Sequence, residues 1–438
     1  MPGVLSGGVE ESEDSVTSHS VCYTGGRSLS CELFAIVMQR RVLGIIFGTL
    51  MLDMIGTGMV FPIVPILFTD PSSHSFMLQG YSVPWQYFIA GLVTALFGLM
   101  QFIAAPLLGE LSDVYGRKKL LLLGVGVLAA SQALFGFGIT VGSLSIILIS
   151  RTIAGLAGAN FSIAQAAIAD VSEPKDRAKN FGLIGAAFGV GFILGPVLGG
   201  WIAASAHNAA APFWFASILG IVNVLFVSLL LPETRRVSES VRRRFTIFRG
   251  LLNIRAALND RDARPVYLAS FLYMAGFNFL PAFMGVLLVV NYGFNETGVG
   301  TFFALVGAWV VFTQAFVLRL LTRFYNERTI LRVSLLMLAL GILVNPYLPS
   351  ALFIYLFIPF VAIPQGLSMA NMQALVSKSV SPEKQGAALG INGSLIAFSQ
   401  GIVPLIAGVG SGILGVQVPF LVGSFLIVIS WIVLFGYR

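Results

Sequence analysis

Charge is scarce in this chain. Asp, Glu, Lys and Arg make up 10% of its 438 residues against 57% hydrophobic residues, and the mean hydropathy is +0.89. So little charge cannot cover the surface of a soluble domain, which excludes that class and makes a bilayer the expected solvent. Cysteine is nearly absent too: Cys22 and Cys31 both precede the first apolar run, so they can neither staple an apolar core nor form a metal site on their own. Histidine is confined to His19, His74 and His207, outside the apolar runs. With no paired carboxylates, zinc-type His/Glu spacing or nucleophile elbow, the expectation is no enzyme, no metal and no cofactor. The G-x-G at Gly189 and Gly191 lies inside an apolar run and is no nucleotide loop.

What is present is length and repetition of apolar sequence. Crossing a hydrocarbon core of roughly 30 Å takes about 20 apolar residues, and runs of that length recur from Val42 nearly to the C-terminus. They predict spans at about 42–68, 86–108, 118–139, 143–168, 179–204 and 212–231, then about 266–290, 298–320, 328–348, 350–377, 384–412 and 415–437. The fold class expected is an all-α polytopic membrane protein: twelve transmembrane helices in two six-helix bundles, residues 42–231 and 266–438. Residues 1–41, rich in Ser, Gly and Glu and lacking a short signal-type h-region, read as a disordered cytosolic tail.

The net charge of +7 is laid out on one side. Nine arginines lie between Pro232 and Pro265, the longest polar stretch and the expected loop between the bundles, and every other Lys or Arg except Arg151 falls on the same side of the predicted spans. The opposite connections, around Thr69–Trp85, Thr140–Gly142, Ser205–Ala211, Asn291–Thr297 and Asn345–Ser350, contain no Lys or Arg. That asymmetry places both termini in the cytosol of a multi-pass protein, with the cell membrane the expected location. It reads the arginines as an orientation signal and a contact for membrane lipids, not for nucleic acid.

The halves repeat. SIAQAAIADVSEPKDRAKNFG from Ser162 matches ANMQALVSKSVSPEKQGAALG from Ala370 at a constant offset, setting Gln165, Pro174, Gly182 and Pro196 opposite Gln373, Pro382, Gly390 and Pro404. Six helices repeated in parallel suit two bundles rocking around a small-molecule site between them.

The turn between the second and third spans reads GELSDVYGRKK from Gly109. Glycines permit a tight turn, a carboxylate can face a helix N-terminus, and three basic residues hold the cytosolic face. This resembles the G-x-L-x-D-x-x-G-R-K signature of the major facilitator superfamily at every fixed position. The resemblance implies a conformational latch of Gly109, Asp113, Gly116, Arg117, Lys118 and Asp170. In it Asp113 sits against the N-terminus of helix eleven and Arg117 pairs with Asp170, the acid ending helix four. Ser381, Pro382 and Glu383 would make a suitable start for helix eleven. The matching stretch of the second half, LTRFYNERTIL from Leu321, lacks the glycines and the acid.

On the fifth span Gly182, Gly191, Gly195, Pro196, Gly199 and Gly200 reproduce a G-x8-G-x3-G-P-x2-G-G spacing. It resembles the antiporter motif of drug:proton exporters; the bland reading is close helix packing. Two charges lie inside apolar runs, Asp53 and Arg151, at about the same depth by residue count. LDMIGTGMVFPIVP from Leu52 and RTIAGLAGA from Arg151 resemble motifs of the twelve-helix, tetracycline-efflux-like branch. The functional reading is proton coupling, with Asp53 titrating and Arg151 modulating it; the alternative is a static buried ion pair.

Polar and aromatic residues that can line a central cavity include Gln101, Gln132, Asn160, Gln165, Asn278, Gln314, Asn371, Gln373, Gln400, Phe161, Trp309 and Phe398. Gln165 and Gln373 stand out by symmetry, and Asn278, Phe161 and Trp309 complete the candidate substrate set. Helices seven to twelve contain no internal Asp, Glu or His, unlike tetracycline exporters proper, which argues against tetracycline as the substrate. The function expected is proton-coupled export of small amphiphilic organic molecules or drugs by a monomer. A proton-coupled or facilitative importer of sugars or organic acids is the alternative, and a non-transporting receptor or scaffold a third class.

Overall fold

The computed structural model describes residues 28–158, 160–172, 177–234, 249–381 and 385–436. All regular structure among these residues is helical. Twelve of the helices are long and apolar enough to cross a bilayer. Spans 1 to 6 are Met38–Thr69, Val83–Tyr115, Arg117–Thr140, Leu144–Val171, Asn180–Ala206 and Ala211–Leu230; spans 7 to 12 are Arg264–Tyr292, Glu296–Leu321, Glu327–Tyr347, Ala351–Lys378, Ala388–Leu414 and Val418–Gly436. The polytopic all-α class expected from hydropathy is thus the class observed.

Two boundaries differ from the sequence reading. The first helix begins at Ser28, so residues 28–41 are helical instead of disordered tail. No Gly or Pro occurs between Ser28 and Leu43, and nothing there stops a helix from propagating outward from the span. The loop of 232–265 is likewise not wholly irregular, because Arg249–Asn259 forms a linker helix. Its Ile254 and Ala257 pack with Tyr267, Val376 and Leu395 of the second half. Its Gly250 abuts Phe102 of span 2, Arg249 pairs with Glu110 at 2.5 Å, and Asn253 donates to Ser394 Oγ at 2.9 Å. Residues 1–27 of the expected tail and 235–248, with five of the loop arginines, lie outside the described residues.

Phe279, Phe283, Leu335, Leu338, Ile354 and Phe420 belong to an apolar cluster centred on spans 7 to 12, which Ile66 and Tyr87 of spans 1 and 2 join, and Val42, Ile46, Leu121, Ile163, Ala187 and Val227 belong to one of spans 1 to 6.

Several spans are interrupted. Span 1 breaks at Met59, just before Pro62, whose missing N–H leaves the Gly58 carbonyl without its helical donor. Span 4 is interrupted at Gly158, and Gln101 Nε2 donates to the Gly158 carbonyl at 2.9 Å. Span 8 carries one π-helical turn, Thr313–Val317. Breaks at membrane depth are tolerated where neighbouring helices satisfy the backbone, as Gln101 does here.

The halves touch unevenly along their length. Call the end bearing Arg117 and Lys118 the basic end. Along one face of span 5, Gly189, Pro196 and Gly200 meet Val311, Gly300 and Glu296 of span 8, whereas a Cβ on Gly182, further along that face toward the basic end, would meet nothing within 4 Å. Span 11 repeats this against span 2: Gly401, Gly408 and Gly412 meet Leu99, Tyr87 and Pro84, while Gly390, toward the basic end, faces open space. At these described glycines the halves are in close contact toward the end remote from the basic residues, whereas Gly182 and Gly390, toward the basic end, have open space beside them.

Candidate functional site

The site is built around Asp53, which is 5% exposed in the middle of span 1. Asn160, two residues beyond the interruption of span 4 at Gly158, donates its Nδ2 to Asp53 Oδ2 at 2.7 Å. Asn223 of span 6 donates its Nδ2 to Asp53 Oδ1 at 3.0 Å and to the Thr49 carbonyl at 3.0 Å. Three helices therefore converge on one carboxyl group, and the hydrogen-bond donors that reach it are neutral carboxamides.

Arg151, 3% exposed, is not among its partners. No ion pair joins the two among the described residues, so the static pair weighed from the sequence does not form. The guanidinium lies 4.7 Å from the centre of the Phe135 ring and 6.0 Å from that of Phe97, an arrangement that holds a cation on ring faces. Its Nη2 donates to Gln132 Oε1 at 3.4 Å, and Gln132 Nε2 donates to the Gly56 carbonyl at 3.2 Å, in the last turn before the break in span 1. Gln132 thus stands between the two charges. A cavity of ≈ 10 Å³, about one water molecule in size, is lined by Asp53, Gly56, Gln132, Ala216 and Gly220.

Span 5 presses its glycines against the same stretch of span 1. A Cβ at Gly191 would overlap that of Met54; one at Gly195 would sit 2.7 Å from the Ile55 carbonyl and 2.8 Å from Gly58 Cα; one at Gly199 would lie 2.8 Å from Met59 Cα. Three glycines of the antiporter-like spacing thus contact residues 54–59, directly beside Asp53, while Pro196 and Gly200 form the seam with span 8 and Gly182 faces open space.

A second polar centre closes the basic end of the first half. Arg117 pairs with Asp113 at 2.6 Å and with Asp170 at 2.9 Å, and its Nη1 donates to Ser112 Oγ at 2.5 Å. Gly116 has φ 97°, a left-handed conformation suited to glycine, and a Cβ there would lie 2.5 Å from Glu233 Oε2. That space lets Glu233 accept from the backbone N–H of Arg117 at 2.8 Å and of Lys118 at 3.3 Å, capping span 3 with a carboxylate. Lys118 Nζ donates to the Ser228 carbonyl at 2.8 Å, and Gly109 lies near Ser162 of span 4. The expected contact of Asp113 with the start of helix eleven involves Pro382 to Lys384, outside the described residues.

The candidate substrate residues are dispersed. Phe161 meets Phe188 edge-on at 5.6 Å, Trp309 meets Phe312 edge-on at 5.6 Å, and Asn278 donates to Ser399 Oγ at 2.8 Å. Gln165 is half-buried on span 4 and Gln373 exposed on span 10. No hydrogen bond or ring contact among the described residues joins any two of these five.

Sequence reasoning passed over Asn223 and Glu233. The signals were a lone amide in the apolar run IVNVLF and an acid directly after Pro232 at the end of span 6.

Twelve membrane-length helices with a carboxyl group and a guanidinium buried among them define a polytopic membrane protein of the transporter class. The family model described as Major Facilitator Superfamily matches residues 46–363 and 266–438, and the chain belongs to that superfamily. It is 30% identical over 373 residues to a class H tetracycline resistance protein of Pasteurella multocida, covering 84% of this chain and 88% of the relative. It is 28% identical over 440 residues to major facilitator superfamily domain-containing protein 10 of Mus musculus, covering 91% and 93%. Among solved structures, the human organic anion transporter MFSD10 (TETRAN) superposes with a TM-score of 0.68 at 26% identity, over 90% of this chain and 99% of that one. A bacterial homologue of the lysosomal transporter Spinster, described as inward-facing and unoccupied, superposes with a TM-score of 0.72 at 15% identity, over 91% and 96%.

Proposed function

We propose that the chain exchanges protons for a small amphiphilic organic molecule and exports it from the cytosol by alternating access. The observation that carries this reading is Asp53: a carboxyl group buried in the membrane and held by two neutral amides, with its nearest intramembrane cation turned toward Gln132 and two phenyl rings. A buried carboxylate without a countercharge can be neutralised by a proton, whereas one locked in an ion pair is held in its charged form.

The glycine face of span 5 supports coupling, because it lets spans 1 and 5 move closely past one another beside that group. With the basic end taken as cytosolic, a state parted at that end admits cargo from the cytosol, and the Arg117, Asp113, Asp170 and Glu233 cluster is the latch of that end. The tetracycline resistance relatives favour export. The human organic anion transporter favours a second reading, in which the cargo is an organic acid.

Reconstituted vesicles test both. Wild type and Asp53→Asn are given a pH gradient, and proton flux is followed as lipophilic cations, neutral drugs or organic anions are added. Substrate-evoked proton movement in wild type alone supports exchange through Asp53, and the responding class names the cargo. Equal, proton-independent movement in both proteins refutes it.

A further inference from the structure

The two amides around Asp53 have a property that a static scaffold would not need. Asn160 Oδ1 and Asn223 Oδ1 are both buried and accept no hydrogen bond. A buried carbonyl oxygen without a donor costs free energy, and two of them against one carboxyl group form a pattern. As the side chains stand, both amides present N–H groups, which suits an acceptor-only carboxylate. When a proton binds, one carboxyl oxygen becomes an O–H donor and the adjacent amide N–H is opposed by another donor. The orphaned acceptors able to relieve this are the two amide oxygens and Thr49 Oγ1 one turn before Asp53, and of these the amides are the groups already bonded to the carboxyl group.

We propose that Asn160 is the positioning residue that registers the protonation of Asp53, turning its carboxamide over so that Oδ1 accepts the new O–H. This inference rests on Asp53 as the proton carrier. The chemistry is one proton arriving from water and one O–H bond forming at Asp53; no other covalent bond changes. Asn160 turns in preference to Asn223 because it has less to lose. Asn223 Nδ2 also holds the Thr49 carbonyl, tying span 6 to span 1, whereas the Asn160 amide bonds to Asp53 alone.

The other face of the Asn160 amide is accommodated by Gly124 of span 3. A Cβ there would overlap Asn160 Oδ1 and would stand 3.5 Å from the Ala157 carbonyl oxygen. A turned amide would therefore place its N–H groups in a space that glycine keeps clear. Asn160 also lies two residues beyond the interruption of span 4 at Gly158, so the turn acts close to that interruption. Spans 3, 4, 5 and 6 surround this part of span 1, and the one charge they carry at its depth, Arg151, is directed at Gln132 and the phenyl rings.

The test uses full-length protein in vesicles, with Asp53→Asn, Asn160→Leu and Gly124→Ala beside wild type. Losing the Asn160 amide should move the pH midpoint of substrate-evoked proton release upward by about one unit, because the bond it donates to the carboxylate is stronger than the bond it accepts from the protonated form. Gly124→Ala, which displaces the amide without deleting it, should move the midpoint in the same direction and serves if Asn160→Leu fails to assemble. In proton-induced difference infrared spectra, wild type should show a carboxyl band that Asp53→Asn lacks, accompanied by a carboxamide band that Asn160→Leu lacks. A carboxyl band with the carboxamide band unchanged in Asn160→Leu, or midpoints equal to wild type in both variants, overturns the proposal while leaving Asp53 as carrier. A response that survives in Asp53→Asn overturns the functional reading itself.

Discussion

Gly300→Ala is a direct probe of the seal between spans 5 and 8. Gly300 faces the Pro196 carbonyl so closely that an added methyl would overlap its oxygen, with the Pro196 carbonyl carbon 3.2 Å and Gly200 Cα 3.5 Å away. All three neighbours are backbone, so no side chain can rotate aside. Overpacking of this kind costs about 1–3 kcal/mol, and the cost falls only on the state in which the seam is shut. Once the halves part at that end the methyl is accommodated, so the equilibrium should move toward the opposite-facing state by about 5- to 150-fold.

Phe192 reports the change, because it sits in the cluster with Phe61 and Phe303, with ring centres 5.3 and 6.2 Å away, where the halves meet. In Phe192→Cys with Cys22 and Cys31 replaced, alkylation by an impermeant thiol reagent from the side remote from the basic end should quicken at least about fivefold when Gly300→Ala is added. Unchanged alkylation in a protein of unchanged melting temperature would refute the reasoning, since the methyl would then have been absorbed without opening the seam.

Three further outcomes follow from the same geometry. Glu233→Ala removes the carboxylate that accepts from Arg117 and Lys118, and should cost about 0.5–1 kcal/mol, read as a lower melting temperature in detergent that Glu233→Asp partly restores. Gly116→Ala should cost about 1–3 kcal/mol by the same measurement, because φ is 97° there and the methyl would displace Glu233. Gln132→Leu strips an acceptor from buried Arg151 and a donor from the Gly56 carbonyl, and should cost about 1–3 kcal/mol in melting measurements and slow transport. An unchanged melting temperature in any of the three would show that its contact contributes nothing measurable.

The fold was readable because bilayer burial leaves a one-dimensional record: every span must be apolar for about 20 residues, and turns between spans must carry the charge. The site was readable in part. Asp53 and Arg151 declared themselves by the cost of charge in an apolar run, and residue counting gave them the same height. Height along a helix is not azimuth around it, however, and the structure turns Arg151 toward Phe135 and Gln132. Asn223 and Glu233 escaped for a related reason. A single amide in a membrane helix is ordinary glue until its partner is known, and an acid beyond Pro232 gains meaning only once the Gly116 turn is folded beneath it. The linker helix was hidden by its arginines, whose density resembles a solvated loop although Ile254 and Ala257 lie on one face.

The separation of Asp53 from Arg151 has an electrical consequence. Both charges ride in the same half, so with Asp53 ionised that half carries no net intramembrane charge. With Asp53 protonated it carries the full positive charge of Arg151. A membrane potential therefore exerts force on one of the two forms: each elementary charge moved through 100 mV is worth about 2.3 kcal/mol, scaled by the fraction of the field crossed. On the exchange through Asp53 proposed above, voltage should bias the reorientation of the protonated form and leave that of the deprotonated form nearly untouched.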